Sequence, residues 1–227
     1  MPFIIVGVCI VLALIFIPQW WVKHVLNENQ KDREDIGGTG SQLARYLLDK
    51  ADLRHVKVEL TDGGDHYDPT DEVVRLSLPH HDGHSVAALA VAAHEVGHAL
   101  QHANGDRLFR LRQNMAPSIM WIERSAQVVF FAIPLLGAVV RSPVLIVGQV
   151  ALVVLLMASR LVMHLVTLPV EIDASFKRAL PILEAGQFMP EGHMPAARKV
   201  LSAAALTYVS AALISLVDVT RLIRVVR

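Results

Sequence analysis

Residues 85–105 read SVAALAVAAHEVGHALQHANG, and the fold turns on how this stretch is read. Ser85 is a helix-capping residue and Gly105 a stop signal, so a helix over 85–104 is predicted. On that helix residues four apart lie on one face, about 6 Å apart along the axis. His94 and His98 therefore present two imidazoles to one point. Glu95 sits one position round the helix, within reach of that point without occupying it. Two histidines so spaced, with a glutamate after the first, hold a zinc ion and supply a general base. Zinc lowers the pKa of its water towards ~7, and Glu95 takes the proton as that water attacks a peptide carbonyl. Ala92, Ala93, Gly97 and Ala99 leave room for a second helix to pack closely.

A catalytic zinc needs a third protein ligand and an open fourth position. The chain has one cysteine, Cys9, so the donors must be His and carboxylate. His102 lies eight residues after His94, about 12 Å further along the axis. One ion cannot collect three donors from a straight helix at that spacing, so His102 reads as a helix-terminal residue or one outside the coordination sphere. Glu171 is the better candidate. It follows a long apolar run in the sequence Thr167-Leu168-Pro169-Val170-Glu171-Ile172-Asp173-Ala174, and a hairpin of apolar helices returns that point to the side of the histidines. Asp173 is then a candidate for orienting a ligand histidine, as outer carboxylates do.

Outward from this centre, hydrophobic residues make up 53% of 227 and aromatics only 6%, so aliphatic surface must be concentrated in runs. The 21 basic and 21 acidic residues balance, which argues against nucleic acid as a partner. Residues 3–22 read as a retained N-terminal transmembrane helix, long enough for a ~30 Å core and closed by Trp20 and Trp21. Residues 23–118 read as the catalytic domain: a helix capped by Thr39, a strand from His55 to Leu60, a turn at Asp62 to Asp65, and a strand from Glu72 to Leu78. The second strand offers an edge to which an extended peptide can add, with Val73, Val74, Arg75 and Leu76 as substrate-binding residues. His80, His81 and His84 read as a solvated loop. Residues 119–170 read as a transmembrane hairpin turned at Arg141-Ser142-Pro143. Residues 171–200 form a polar segment with the third ligand, and 201–218 a transmembrane or membrane-associated helix. The expected fold is a mainly α membrane protein: a helical bundle with a small α+β zincin-like catalytic domain. The placement of Lys and Arg favours a cytoplasmic catalytic domain.

His94 to His102, with Asp65-His66-Tyr67-Asp68-Pro69 upstream, Leu168 to Ser175 downstream and Ala203 to Val209 near the end, resembles the YugP-like family of neutral zinc metallopeptidases. More distantly the chain is similar to the membrane gluzincins, including HtpX and the CAAX-prenyl proteases. In those the third ligand is the Glu of an E-x-x-A-D motif. The match gives Glu171 the ligand position and Ala174 the alanine, while Ser175 replaces the final Asp and leaves Asp173 as its candidate substitute. The resemblance implies one Zn²⁺, protein or peptide substrates with membrane proteins among them, contact with the lipid bilayer, and residence in the bacterial inner membrane. It implies no oligomeric state. His66, Tyr67 and Tyr208 are candidate donors to the oxyanion, with a structural role as the alternative for each. Two rival readings are a non-catalytic membrane scaffold, which would not need Glu95, and a metal-dependent hydrolase of another substrate, against which the edge strand weighs without deciding.

Overall fold

The structure, a computed structural model, describes residues 2–139 and 143–226, with side chains described without interruption over 16–122 and 159–206. In chain order the elements are α1 (Pro2–Asn29), α2 (Gly40–Lys50), β1 (Lys57–Leu60), β2 (His66–Asp68), β3 (Val73–Leu76), α3 (Leu78–His81), α4 (Val86–Ala103), α5 (Arg107–Val139) and α6 (Pro143–Ile172). A π-helical segment (Asp173–Ala179), α7 (Leu180–Gly186), a 3₁₀ turn (Glu191–His193) and α8 (Met194–Val226) complete it. The hairpin turn expected at Arg141 and Ser142 lies outside the described residues.

Local chemistry explains where the two core helices start. Thr39 Oγ1 accepts from the Gln42 amide at 3.2 Å, while Gln42 Oε1 accepts from the Thr39 amide at 3.0 Å. This reciprocal box satisfies two otherwise orphaned donors and opens α2. Ser85 Oγ accepts from the Ala88 amide at 3.1 Å and opens α4. α2 buries Leu43, Ala44, Leu47 and Leu48, one stripe spaced for a helix face. α4 is buried on nearly every side and packs against α2, β2, β3, the π-helical segment and α8. It is the centre of the core, and the zinc motif lies in its middle.

The sheet has the order β1-β3-β2, with β1 parallel and β2 antiparallel to β3. Two expectations are corrected here. Val73, Val74, Arg75 and Leu76 form the central strand, the first three paired on both sides and Leu76 with β1, so the strand is not the free edge expected for a substrate. Between the expected turn and the expected second strand, where no element is predicted, His66–Asp68 is a strand that turns Tyr67 into the core, and the Asp68 carboxylate forms an ion pair with Arg75 at 2.8 Å.

The expected membrane-spanning bundle is also corrected. Among the described residues no helix is long and apolar enough to cross a membrane. α5 opens with Arg107, Arg110 and Arg112 and carries Arg124, α6 carries Arg160 and His164, and α8 opens with Arg198 and Lys199. The fold described is mainly helical with one small sheet.

Gly97 allows the approach on which the site depends. A Cβ built there would lie 2.9 Å from the carbonyl oxygen of Ala174 in the π-helical segment, a backbone atom that cannot rotate away. Gly97→Ala would gain up to about 1 kcal/mol of helix propensity but force two packed backbones apart, which costs about 1–3 kcal/mol. The clash should win. Chemical denaturation is expected to show net destabilisation of Gly97→Ala, and equal or greater stability would count against this close contact.

Candidate metal centre

His94 and His98 leave α4 on one face, with ring centroids 4.7 Å apart and planes at 78°. α6 ends beside them and delivers Glu171, whose Oε2 lies 3.1 Å from His94 Nε2 and 3.4 Å from His98 Nε2. All three residues are buried, at 7%, 6% and 2% exposure. Two imidazole nitrogens and a carboxylate oxygen are a zinc donor set. Donors at ~2.1 Å from one tetrahedral centre are roughly 3.4 Å apart, so the spacing present suits one ion. Among the described residues these three form the group that could hold a metal.

Each donor is oriented by a further partner. Gln101 donates its amide N–H to the Val170 carbonyl at 2.8 Å and to Asp173 Oδ2 at 3.0 Å, which turns its oxygen towards His98 Nδ1 at 2.9 Å. That oxygen only accepts, so His98 Nδ1 is the donor to it and Nε2 is the ring atom that faces Glu171. Ser175 Oγ lies 3.1 Å from His94 Nδ1. Arg112, at the start of α5, donates to Glu171 Oε1 at 2.8 Å and leaves Oε2 to face the histidines. The π-helical segment sets part of this pattern. Its i→i+5 bonding brings residues five apart together, and Arg178 Nε donates to Asp173 Oδ2 at 2.8 Å. Arg178 also donates to Asp106 at 2.5 Å.

Electrostatics separates the two carboxylates. Burial pushes the Glu95 carboxyl up to about 7, against the opposing pull of His94 and with the charges of Glu171 and Asp65 adding to the rise. Burial acts on Glu171 in the same sense, but hydrogen bonds and charge from His94 and His98 overcome it and hold its carboxyl far below the usual range. Burial raises the Tyr208 hydroxyl, and the charge of nearby Glu171 adds to that. Glu95, His94, Glu171 and Tyr208 line one cavity of about 210 Å³. A larger apolar hollow of about 460 Å³ lies between α2, α4 and α7, with Lys50, Lys177 and Arg178 at its rim. Neither His94 nor His98 lines it, whereas His94 lines the smaller cavity.

The remaining candidates fall in different places. His102 points away from the centre and lies 2.8 Å from the Tyr67 hydroxyl through Nδ1, tying β2 to the end of α4. That tie occupies the Tyr67 hydroxyl, which burial, then Glu72 and Asp68, push up to about 12. His66 lies against its own turn, with Nδ1 2.9 Å from the Gly64 carbonyl. Asp173 reaches His98 only through Gln101, and Ser175 makes the direct contact with His94. His80, expected in a solvated loop, is 7% exposed and faces the cavity with Asp65 behind it. Of the partners not anticipated, Gln101 carried a signal, being three residues after His98 on the same helix face. Arg112, on another helix, carried none.

A family described as "Putative neutral zinc metallopeptidase" matches residues 3–227. The chain is 39% identical over 216 residues to the "Putative membrane protease YugP" of Bacillus subtilis (strain 168), an alignment covering 94% of this chain and 92% of that protein. No solved structure matches.

Outer partners of metal-ligating histidines typically contribute 10–100-fold to metal affinity. Gln101→Ala and Ser175→Ala are each expected to weaken zinc binding by about that factor, read by chelator competition on folded protein. Affinity within twofold of wild type for both would show that these contacts do not orient the rings.

Proposed function

Because the chain belongs to this family of neutral zinc metallopeptidases, we propose that it hydrolyses peptide bonds of protein substrates, with His94, His98 and Glu171 holding one zinc ion and Glu95 as general base. The observation that carries this reading is a buried carboxylate, Glu95, beside a complete His-His-Glu donor set that does not need it. Zinc, when bound, supplies Lewis acidity that polarises a carbonyl and lowers the pKa of water. Glu95 takes a proton as the water oxygen bonds to the carbonyl carbon. It then returns that proton to the peptide nitrogen, the C–N bond breaks to give a carboxylic acid and an amine, and the water's second proton passes from the acid to the amine, leaving a carboxylate and an ammonium group. Arg112 and the two histidines keep Glu171 ionised and directed. Tyr208, which keeps its proton through neutral pH, faces the cavity and offers a donor to the carbonyl oxygen as charge builds there.

We place the reaction at a membrane surface. The relative is named a membrane protease. Phe16, Trp20 and Trp121 are 60%, 65% and 68% exposed, a degree of exposure for large apolar groups that suits contact with lipid.

The test is to purify the full chain, count its zinc, and follow cleavage of casein and of a quenched peptide. Wild type should carry one zinc and lose activity to a chelator. Glu95→Gln should keep the zinc and lose about 10²–10⁴-fold in kcat. Equal cleavage by both would sink the mechanism. Sedimentation with phospholipid vesicles tests the surface, and wild type that stays wholly in solution would overturn that part alone.

A further inference from the structure

Beyond the three metal donors and Glu95, the cavity wall holds a second built group. Asp65, in the loop before β2, accepts from the Ser77 amide at 2.7 Å and from the Ser77 hydroxyl at 2.9 Å, both at Oδ1. Its Oδ2 lies 2.7 Å from His80 Nδ1. The carboxyl is held below the usual range, because hydrogen bonds from His80 and Ser77 outweigh its burial, so it is ionised at neutral pH and can only accept. The proton between them is therefore on His80 Nδ1, which also lies 3.2 Å from Ser77 Oγ. In a neutral ring that leaves Nε2 as a bare acceptor.

His80 Nε2 is buried and has no hydrogen-bond partner in the protein. A buried polar atom without a partner costs free energy and is uncommon in folded proteins. This one belongs to a residue that lines the cavity also lined by Glu95, Glu171 and Tyr208. The pair is also electrostatically coupled to that chemistry, since the charge of Asp65 acts on Glu95. Two residues, Asp65 and Ser77, thus fix the ring of His80, which lines the cavity and keeps a single unpartnered acceptor.

We propose that His80 contacts the substrate, its Nε2 accepting a hydrogen bond from the N–H of the scissile peptide group. This rests on the peptidase reading above. The contact divides the scissile group between two walls: Tyr208 addresses the carbonyl oxygen, and His80 holds the nitrogen. Holding the N–H against His80 leaves the nitrogen lone pair to form on the other side, where a proton from Glu95 can reach it. As that proton arrives the nitrogen becomes cationic and its N–H donates more strongly. The interaction therefore favours the transition state over the bound substrate and acts on kcat more than on KM. Asp65 is the positioning residue. It touches no substrate and sets the ring's tautomer and direction.

Two measurements on the full chain test this. In zinc-loaded protein, His80→Ala and the conservative His80→Gln should keep bound zinc, with kcat on a quenched peptide about 100-fold lower and KM within about threefold. In metal-free protein, ¹⁵N NMR of labelled histidine should show His80 as the Nδ1–H tautomer, and Asp65→Asn should lose that preference. Folded, zinc-loaded His80→Ala and His80→Gln with kcat within twofold of wild type, while Glu95→Gln is inactive, would overturn the role of His80 and spare the peptidase reading. A His80 found as the Nε2–H tautomer would overturn it whatever the activity. Wild type that binds zinc and cleaves no peptide would overturn both.

Discussion

The approach of α4 to the π-helical segment, with Gly97 against the backbone of Ala174, is the constraint on which the site rests. Every other feature of the centre presupposes it. Glu171 stands three residues before Ala174 and Ser175 one after it, so any separation of the two backbones moves a metal donor and the partner of His94 together. The small residues around the motif, Ala92, Ala93 and Ala99, extend that contact and leave α4 enclosed. A helix enclosed in this way has little freedom to slide or rotate, and a metal site needs ligand positions held to a fraction of an ångström.

Burying ionisable groups would be costly without this network. Glu171 is almost wholly enclosed, and an isolated carboxylate there would be expelled or neutralised. It is instead shared between His94, His98 and Arg112. The chain of contacts continues from His98 through Gln101, Asp173 and Arg178 to Asp106 at the surface. Removing one member of a set so linked leaves a buried charge uncompensated and is strongly destabilising. Glu95 stands apart from that set, and this separates its role from that of Glu171 although both are buried glutamates.

Much of the local structure was legible. Thr39 and Ser85 announced their helices because a capping hydroxyl acts within three residues. The strands were harder. Period-two alternation reports which face is buried and says nothing of whether a strand has one neighbour or two, so Val73 to Leu76 could not be recognised as central. His66–Asp68 is too short to show a period at all. Apolar runs were read as membrane spans from hydropathy alone, and among the described residues no helix is long and apolar enough to cross a membrane. His80 was lost among neighbouring polar residues. Its burial comes from Asp65, fifteen residues away, and from the cavity built by α4, α6 and α8.

The sequence by itself determined the pair His94 and His98 with Glu95 between them, because four-residue spacing on a helix is a local geometric fact that no later packing alters. It pointed to Glu171 through the position of that residue at the end of an apolar run. Only the tertiary structure decided which side chains direct the donors. Ser175 faces His94, Gln101 faces His98, Arg112 takes the second oxygen of Glu171, and Asp65 turns His80 into the cavity. Most of these pairings join residues far apart in the chain. They exist because backbones from different elements meet at particular separations, and no local period records where that meeting occurs.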